Sequence, residues 1–405
     1  MGLGKYISFV ADLIIFPIKV SLRYIFSLSK RNKSIWVFGS WGGLTFSDNT
    51  KYLFLYMVNN QKEIDVFWIT RNREIYKELL RLNLPVLYLY SLKGILKCLY
   101  AGVQLTTHGI YDIAPTFTKG AVHFSLFHAS FPLKKMEFDA FDSSLLKVFI
   151  QIIRKPFVFE KADYSISSSE NTQSVISSAL NISKEKIFVL GYPRSDFIEK
   201  TTHLSADLNK IENMCDISEY DNVIYFVPTF RNNPKFDFFD YQFDKEKLIK
   251  FLDKTNSVLI FRFHPFEYEK IMRYHNIEHK RLIFESHGLD DPYPFLYRSS
   301  ILVTDFSSIF ADFLLLDRPI IFANFDYDGY LNQERQLYWN YDDVTPGVKV
   351  SNWPKLLKEL NRIILKKQDL YESDRDIMKN FIYNTANGTA SERVCKKIKQ
   401  IILAK

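Results

Sequence analysis

Two doubly wound α/β domains, each built on a parallel sheet, are the fold class that the sequence predicts. The chain has 405 residues, too many for one ordinary core and suitable for two domains. Short β-rich runs alternate with helical patterns along most of it, which is typical of parallel sheets with helices on both faces. Several runs are almost continuously apolar, as strands covered on both faces require. We therefore expect two Rossmann-like domains facing a cleft, with ligands beyond the carboxyl ends of the strands.

Composition and charge narrow the class of protein. Hydrophobic residues make up 47% of the chain and charged residues 24%, which excludes disordered and fibrous proteins. The net charge of +7 fits an anionic substrate or an anionic membrane surface, and no motif indicates a nucleic-acid partner. Cys98, Cys215 and Cys395 lie far apart without CxxC or Cys/His spacing. We therefore expect a reducing cytoplasm, without disulfides or a zinc site.

Residues 1–33 are expected to form a helical segment that associates with a membrane. The stretch KYISFVADLIIFPIKVSLRYIFSL is apolar and aromatic but contains Asp12, Lys19 and Arg23. A spanning helix needs about 20 apolar residues with few charges, so a helix or helix pair lying in the membrane interface fits better. Its cations would contact anionic headgroups, and Pro17 would kink the helix. The alternatives are an amphipathic helix packed on the domain and a transmembrane helix.

Residues 34–200 are predicted to form the first Rossmann-like domain. REIYKELLRLN and LKGILKCLYAG have the spacing of helices between its strands. The strand candidates are WVFGS (36–40), DVFWIT (65–70), VLYLY (86–90), VQLTTH (103–108), AVHFSLFH (121–128), DYSISS (163–168) and KIFVLG (186–191).

Residues 221–380 are predicted to form the second Rossmann-like domain. A polar stretch of weak periodicity predicts a linker over 201–220, and a basic C-terminal helix is expected over 381–405. The strand candidates are VIYFVPTF (223–230), VLIFRFHP (258–265), RLIFE (281–285), ILVTDF (301–306) and PIIFANF (319–325).

Polar residues that directly follow a predicted strand are the candidates for a functional site. The strongest signal is LVTDFSSIFADFLLLDRPIIF, in which Thr304 and Asp305 end a buried strand and Ser307 and Ser308 begin a helix. Serine hydroxyls and unpaired backbone N–H groups at a helix start can bind a phosphate, aided by the helix dipole. The alternative is an ordinary helix N-cap.

Two further strand ends in the second domain have candidate residues. Arg262 and His264 in FRFHPF would lie one pleat apart on the same strand face, where a guanidinium and an imidazole could contact a phosphate. The alternative is a surface salt bridge at a capped strand end. Thr229 and Arg231 end another strand in VPTFRNNP, where the alternative is a simple turn.

The first domain contains a candidate for a general base. His128 in SLFHASFPLKK directly follows a strand, and the cations Lys134 and Lys135 come after it. A histidine at the carboxyl end of a strand is well placed to accept a proton. His108 in TTHG is the competing candidate.

No metal site is expected. Asp326 and Asp328 form a small acidic group, but their spacing is not that of a calcium-binding loop. The HExxH, Walker A and GxGxxG motifs are all absent.

Taken together, these segments resemble the CDP-glycerol glycerophosphotransferase family, which includes teichoic acid primases and polymerases. The chain departs from the family pattern at Phe127-His128-Ala129, where Trp-His-Gly is usual, and at Phe230 and Phe306, where tryptophan and tyrosine are usual. The resembling segments are, in order, VFGSWGGLTFSDNTKYLF (37–54), FHASFPLKK (127–135), GYPRSDF (191–197), VPTFRNN (227–233), FRFHP (261–265), TDFSSIFADF (304–313), RPIIFANFDYDGY (318–330), TPG (345–347) and NGTASERV (387–394).

The resemblance implies a GT-B-type fold, with an acceptor domain followed by a donor domain. It also implies a peripheral enzyme at the cytoplasmic face of the membrane. Such an enzyme transfers glycerol or ribitol phosphate from CDP-glycerol or CDP-ribitol to a polyprenyl-diphosphate-linked acceptor and releases CMP. No obligatory cofactor or metal is implied, since fixed cations can stabilise the charge of phosphoryl transfer.

The resemblance also implies roles for the candidate residues. His128 would be the general base that deprotonates the acceptor hydroxyl, and His264 would be the second catalytic histidine. Arg262 and His264 would steady the pyrophosphate, whereas Asp305 would support its loop. The remaining donor-binding candidates are Thr229, Arg231, Thr304, Ser307, Ser308 and Arg335. The acceptor-side candidates are His108, Lys134 and Lys135.

Two other functions are compatible with the same fold. One is a nucleotide-sugar glycosyltransferase of the GT-B type that acts on a lipid-linked or capsular acceptor. The other is a catalytically idle, membrane-associated binding protein, against which the two histidines and the serine pair argue. The sequence leaves open the choice of glycerol or ribitol, single addition or polymerisation, and whether the chain forms a homo-oligomer.

Overall fold

The computed structural model describes residues 3–140, 144–200, 217–231, 233, 236–263, 279–285, 291–384 and 387–404. The chain divides into two compact units. The first contains Met1–His128, Glu137–Arg194 and Thr389–Lys405, and the second contains Ala129–Met136 and Ser195–Gly388. The segment Ala129–Met136 therefore belongs to the second unit, although the residues on both sides of it belong to the first. The C-terminal helix belongs to the first unit, although the residues before it belong to the second.

The first unit is built on a seven-stranded parallel sheet of order β3-β2-β1-β4-β5-β6-β7. The interior strand β1 ends in Trp36, Val37 and Phe38, each at most 1% exposed, because helices cover both faces of the sheet. The strands are β1 (Asn32–Phe38), β2 (Asp65–Thr70), β3 (Val86–Tyr88), β4 (Ala101–Thr106), β5 (Val122–Ser125), β6 (Tyr164–Ser167) and β7 (Ile187–Val189).

The helices of the N-terminal half begin at polar residues that follow the strands. Asn72, for example, accepts a hydrogen bond from the backbone N of Glu74 (2.9 Å) and so caps the third helix. The helices are α1 (Leu3–Ser27), α2 (Asp48–Asn60), α3 (Arg73–Arg81), α4 (Leu92–Tyr100), α5 (Pro115–Thr118), α6 (Leu145–Arg154), α7 (Glu170–Leu180) and α8 (Pro193–Lys200).

Helix α1 is a single helix that continues through Pro17. Two cations of the segment 1–33, Arg23 in α1 and Arg31 after it, contact the protein instead of being free for lipid headgroups. Arg23 is 5% exposed and pairs with Glu160, and Arg31 donates to the backbone oxygens of Cys98 (3.0 Å) and other residues. Desolvation lowers the pKa of both guanidinium groups. Within the described part of the chain, no helix is long and apolar enough to cross a membrane.

The second unit is built on a six-stranded parallel sheet of order β10-β9-β8-β11-β12-β13. The strands are β8 (Asn222–Val227), β9 (Ser257–Phe261), β10 (Leu282–Phe284), β11 (Ile301–Thr304), β12 (Ile320–Ala323) and β13 (Val348–Val350). The helices of the C-terminal half are α9 (Lys245–Lys254), α10 (Tyr293–Arg298), α11 (Ile309–Phe313), α12 (Tyr327–Gln333), α13 (Tyr341–Val344), α14 (Trp353–Ile364), α15 (Glu372–Ile382) and α16 (Ala390–Ala404).

The two parallel sheets confirm the predicted fold class, with corrections at the strand ends. All the candidate strands are present, but most end earlier than expected. One of them, β9, ends at Phe261, although the backbone N of Arg262 still donates to the Phe226 carbonyl of the neighbouring strand β8 (2.9 Å). Strand β13 was not expected, since its three residues are bounded by Gly347 and Ser351 and form too short an apolar run.

The core of the second unit contains a dense group of aromatic rings around Trp353. This side chain is 1% exposed, stacks on Phe226 at a centroid distance of 5.7 Å, and donates its indole N–H to the backbone oxygen of Phe238 (2.8 Å). Rings of this kind add both buried area and preferred edge and face contacts. Helix α14 is thereby fixed on the sheet.

We predict that Trp353→Ala destabilises the protein by about 3–5 kcal/mol, because it leaves a cavity and an unpaired carbonyl in this core. The measurement is the midpoint of urea unfolding followed by circular dichroism. Leu370→Ala is the control, since Leu370 is 66% exposed and its truncation is expected to change stability by less than about 0.5 kcal/mol. Equal midpoints for the two variants would contradict the prediction.

Candidate active site

In the first unit, the two candidate histidines lie side by side at the ends of neighbouring strands. His108 follows β4 and His128 follows β5, and these strands pair in parallel. Their imidazole rings stack with centroids 4.3 Å apart and planes 15° from parallel. Trp41, which follows β1, packs on His108 at a centroid distance of 4.1 Å, with the two ring planes tilted by 43°. The structure therefore brings both candidates for the general base into one ring stack.

Asp112, which sequence reasoning did not single out, holds the loops beneath this stack. Its carboxylate accepts backbone hydrogen bonds from Gly42 (2.8 Å), Thr107 (2.8 Å) and His108 (2.7 Å). The side chain is 1% exposed, and this burial raises its pKa to about 6 despite the hydrogen bonds. The only signal in the sequence was an acidic residue shortly after a strand end.

A hydrogen-bonded chain connects this carboxylate to one imidazole. The hydroxyl of Thr107 lies 3.4 Å from the Asp112 carboxylate and 3.0 Å from Nδ1 of His108. When Asp112 is ionised, the hydroxyl donates a hydrogen bond to it and can accept a hydrogen bond from Nδ1–H of His108. That arrangement favours the tautomer of His108 with its lone pair on Nε2.

The backbone before His128 is held in an unusual conformation by two segments of the sequence, SDN (47–49) and GYPR (191–194). Phe127 has a positive φ of 46°, which is strained for a bulky side chain, and its carbonyl accepts from the Asn49 amide (2.6 Å). The Arg194 guanidinium donates to the His128 carbonyl (2.7 Å) and to Asp48 (2.6 Å). These contacts fix the direction in which the His128 side chain leaves the backbone.

In the second unit, Asp305 holds the loop after β8. It is fully buried and accepts from the backbone N of Thr229 (2.7 Å) and from the Arg231 guanidinium (2.7 Å). Thr304, one residue earlier, donates its hydroxyl to the backbone oxygen of Val227 (2.7 Å). Among the described residues, the buried hydroxyl of Thr229 has no hydrogen-bond partner.

Arg231 is enclosed rather than presented to solvent. It is 2% exposed, and its charge is offset by Asp305. Four aromatic rings lie within 4.5 to 5.5 Å of its guanidinium carbon and stabilise the cation through their π faces. They are Phe236, Phe238, Phe306 and Tyr330. Phe306, at a family position usually occupied by tyrosine, also stacks on Tyr330 at 3.8 Å.

Arg262 is likewise paired with a carboxylate. It directly follows β9, is 7% exposed, and forms an ion pair with Glu285 at the end of β10. The hydroxyl of Tyr225 donates to the same carboxylate (3.2 Å). Sequence reasoning missed Glu285, because nothing in the local pattern indicates which strand lies beside β9. His264 lies outside the described residues, so its expected place beside Arg262 stays a prediction.

Ser307 and Ser308 precede α11, a helix of only five residues. Ser308 makes no side-chain capping hydrogen bond, and the Ser307 hydroxyl accepts from Ile309 N at a long 3.4 Å. Both serines are half-buried. A simple N-cap therefore does not account for the pair, although so short a helix has a weak dipole.

Lys134 and Lys135 belong to the second unit, whereas His108 and His128 belong to the first. The backbone N of Lys135 donates to the Gln336 carbonyl (2.8 Å), and its amine donates to the Gln336 side chain (2.8 Å). Desolvation lowers the pKa of Lys134 to about 8 against the opposing effect of Asp305. Arg335 is exposed on the neighbouring loop.

No group of three or more His, Cys, Asp or Glu side chains is placed to hold a metal ion in the part of the chain that the structure describes.

The candidate residues form two sets. One is the ring stack of the first unit with its supporting ion pair, and the other is the set of cations and hydroxyls at the strand ends of the second unit.

The comparison with solved structures shows the fold. The wall teichoic acid polymerase TagF superposes with a TM-score of 0.75 at 22% identity, covering 100% of this chain and 99% of that one. A TagF variant soaked with CDPG superposes equally well. The complex of Staphylococcus aureus MnaA with UDP is more distant, with a TM-score of 0.53 at 15% identity and coverage of 92% and 97%.

Sequence comparison identifies the family. A teichoic acid glycerol-phosphate transferase of Staphylococcus aureus is 28% identical over 91% of this chain and 93% of its own length. A teichoic acid poly(glycerol phosphate) polymerase of Bacillus spizizenii is 26% identical over 92% and 94%. The family profile described as CDP-Glycerol:Poly(glycerophosphate) glycerophosphotransferase matches residues 21–400. This match covers nearly the whole chain and confirms the resemblance, so the protein belongs to the CDP-glycerol:poly(glycerophosphate) glycerophosphotransferase family.

Proposed function

We propose that this protein transfers glycerol phosphate or ribitol phosphate from a CDP-linked donor to a lipid-linked saccharide or a growing polyol phosphate chain. CMP is the leaving group, and the product belongs to a teichoic acid or similar surface polymer. The family match over residues 21–400 is the observation that carries the proposal. The strand-end histidines and hydroxyls described above are of the types that this chemistry requires.

His128 acts as the general base. It removes the proton from the acceptor hydroxyl, whose oxygen attacks the phosphorus that bears the polyol. The new P–O bond forms as the bond between that phosphorus and the CMP oxygen breaks, and the proton stays on the imidazole. The Arg194–Asp48 pair supports this role, because it holds the His128 carbonyl and hence the position of the ring.

The second unit binds the donor. Arg231 and Arg262 each have a carboxylate partner, so their main effect is to hold the strand-end loops in place. Ser307 and Ser308 offer hydroxyls to phosphate oxygens, and His264 adds a donor in the role that the resemblance implies. Such prearranged donors stabilise the charge that moves onto CMP.

The enzyme works at the cytoplasmic face of the membrane as a peripheral protein. Helix α1 packs against α6, and both present apolar side chains to solvent. On α1, Ile14 is 63% exposed, and on α6, Leu145 and Leu146 are 87% and 68% exposed. An exposed apolar surface of this kind, next to basic residues, is suited to the acyl boundary of an anionic bilayer.

The proposed reaction is tested by offering CDP-glycerol, CDP-ribitol and UDP-sugars separately to the purified protein. Each incubation contains an undecaprenyl-diphosphate-linked disaccharide carrying a glycerol phosphate. We expect CMP release with one CDP-polyol and a matching gain in mass of the lipid. UDP release would instead support the nucleotide-sugar glycosyltransferase, and turnover of no donor would favour the idle binding protein.

We predict that His128→Gln lowers kcat by about 10²–10⁴-fold with little change in the KM for the donor, because the variant lacks a base for the acceptor hydroxyl. His108→Gln is the matched control in the same ring stack, and we expect a loss of about tenfold or less. Steady-state CMP release measures both. A larger loss in the His108 variant would transfer the role of base to that residue.

We predict that Leu146→Glu lowers partitioning onto anionic vesicles on the order of tenfold, since one buried leucine contributes about 1.5–3 kcal/mol. Vesicle flotation measures the bound fraction. Ile377→Glu is the matched control, because Ile377 is 67% exposed on α15 of the second unit. Equal losses for both variants would contradict membrane binding through α1 and α6.

A further inference from the structure

A group of tyrosine rings lies at the carboxyl edge of the first sheet, apart from the catalytic ring stack. Tyr88 is the last residue of β3, Tyr90 follows it, and Tyr76 lies on α3. The Tyr88 ring has its centroid 6.1 Å from that of Tyr76 and 5.6 Å from that of Tyr90. The guanidinium carbon of Arg73 lies 5.6 Å from the Tyr88 centroid. We call these four residues the tyrosine cluster.

The tyrosine cluster is accessible to a ligand. Tyr90 is 62% exposed, Tyr76 and Tyr88 are half-buried, and Arg73 is exposed. Among the described residues, none of the three tyrosine hydroxyls has a hydrogen-bond partner. Tyrosine combines an apolar ring face with a polar tip and loses little conformational freedom on binding. The cluster therefore offers both stacking surfaces and hydroxyl groups.

The surroundings of the tyrosine cluster are polar, which distinguishes it from the apolar surface of α1 and α6. Glu74 and Lys77 on α3 form an exposed ion pair (3.0 Å) beside Arg73 and Tyr76. A surface that enters a bilayer would have to remove these charges from water. Rings set among charged and hydroxyl groups are instead suited to a ligand with apolar faces and many hydroxyls, which is the chemistry of a saccharide.

Hydrogen bonds connect the tyrosine cluster to the ring stack of the first unit. Asn72, which caps α3, donates its side-chain amide to the carbonyl of Leu44 (3.1 Å). The backbone N of Leu44 donates to the carbonyl of Trp41 (3.2 Å), and Trp41 packs on His108. Leu44 is 46% exposed and Trp41 is 37% exposed. The accessible surface thus continues from the cluster to the ring that contacts His108.

The strand order sets the length of this surface. Only β2 lies between the outer strand β3 and β1. Neighbouring strands are about 4.8 Å apart, so the ends of β3 and β1 lie about 10 Å apart. A disaccharide has about this length, and each pyranose ring has a face of C–H groups that packs on an aromatic ring. A polyol phosphate chain has no such face, so the row of rings favours the sugar part of an acceptor.

We propose that the tyrosine cluster and Trp41 bind the saccharide of the lipid-linked acceptor. This rests on the proposed function, and it names the part of the acceptor that the first unit recognises. One sugar stacks near Trp41, next to the histidines, and the other reaches Tyr90. Arg73 holds the Tyr88 ring through a cation–π contact. An enzyme with this site favours acceptors whose attacking hydroxyl is close to the saccharide over long polyol phosphate chains.

The first test is the acceptor KM of Tyr90→Ala in the full-length protein, measured by CMP release with the disaccharide-containing acceptor described above. We expect this KM to rise about 3- to 10-fold, because one stacking contact is lost, and the donor KM to stay within about twofold. Tyr90→Phe keeps the ring and should restore most of the acceptor affinity. Since Tyr90 is exposed, these substitutions leave the core intact.

Tyr100→Ala is the matched control. Tyr100 is 48% exposed and belongs to the same unit, but it directly precedes β4 and so lies at the opposite edge of the sheet. We expect its acceptor KM within about twofold of the wild type, as for most surface substitutions. Equal acceptor KM values for Tyr90→Ala and Tyr100→Ala would overturn the inference.

The second test separates the saccharide from the rest of the acceptor and needs no turnover. The probes are the same disaccharide glycerol phosphate without its lipid, and an oligo(glycerol phosphate) without sugar. Titrations followed by saturation-transfer NMR measure the binding of each. We expect Tyr90→Ala to weaken binding of the disaccharide by the same factor of about 3 to 10 and to leave that of the oligo(glycerol phosphate) unchanged.

Equal weakening for both probes would assign the tyrosine cluster to the polyol phosphate chain and overturn the inference. Unchanged binding of the disaccharide in Tyr90→Ala would overturn it as well. Failure of the wild type to release CMP from any donor is a distinct outcome, since it would overturn the proposed function. The NMR titration would still decide whether the tyrosine cluster binds a saccharide.

Discussion

Both sheets are parallel and covered on both faces, and this constraint decides where polar chemistry can lie. Apolar side chains fill both surfaces of each sheet, so catalytic groups are confined to the loops at the strand ends. Those loops contain backbone N–H groups that need partners away from water. One buried carboxylate in each unit supplies them, namely Asp112 in the first and Asp305 in the second. The hydrogen bonds to these two acids hold the loops that carry the candidate residues.

Three buried arginines support the candidate sites and are distinct from the groups that would react. Arg194, Arg231 and Arg262 are at most 7% exposed, and each is paired with a carboxylate from a distant part of the sequence. Buried ion pairs add little net stability, but removal of one partner costs about 3–5 kcal/mol. Their main consequence here is geometric, since each pair holds a strand-end loop in one conformation.

The ring stack of Trp41, His108 and His128 depends on strained backbone. Trp41 and Phe127 both have a φ of 46°, and Asp48 has a φ of 65°. Conformations of this kind persist only where the surroundings over-determine them, and they cluster at functional sites. The hydrogen bonds from Asn49 and Arg194 provide that support. The strain in this backbone is consistent with precise placement of an imidazole for proton transfer.

The sequence by itself determined the two parallel sheets, all of their strands except β13 and the candidate residues at the strand ends. These are local properties, because periodicity and the polar residues that end a run can be read within a few positions. Tertiary structure alone decided which residues meet. Asp48 and Arg194 are 146 positions apart, and Lys134 joins the unit that follows it in the chain. No local pattern records such pairings, because burial and charge compensation depend on which strands and loops the fold brings together.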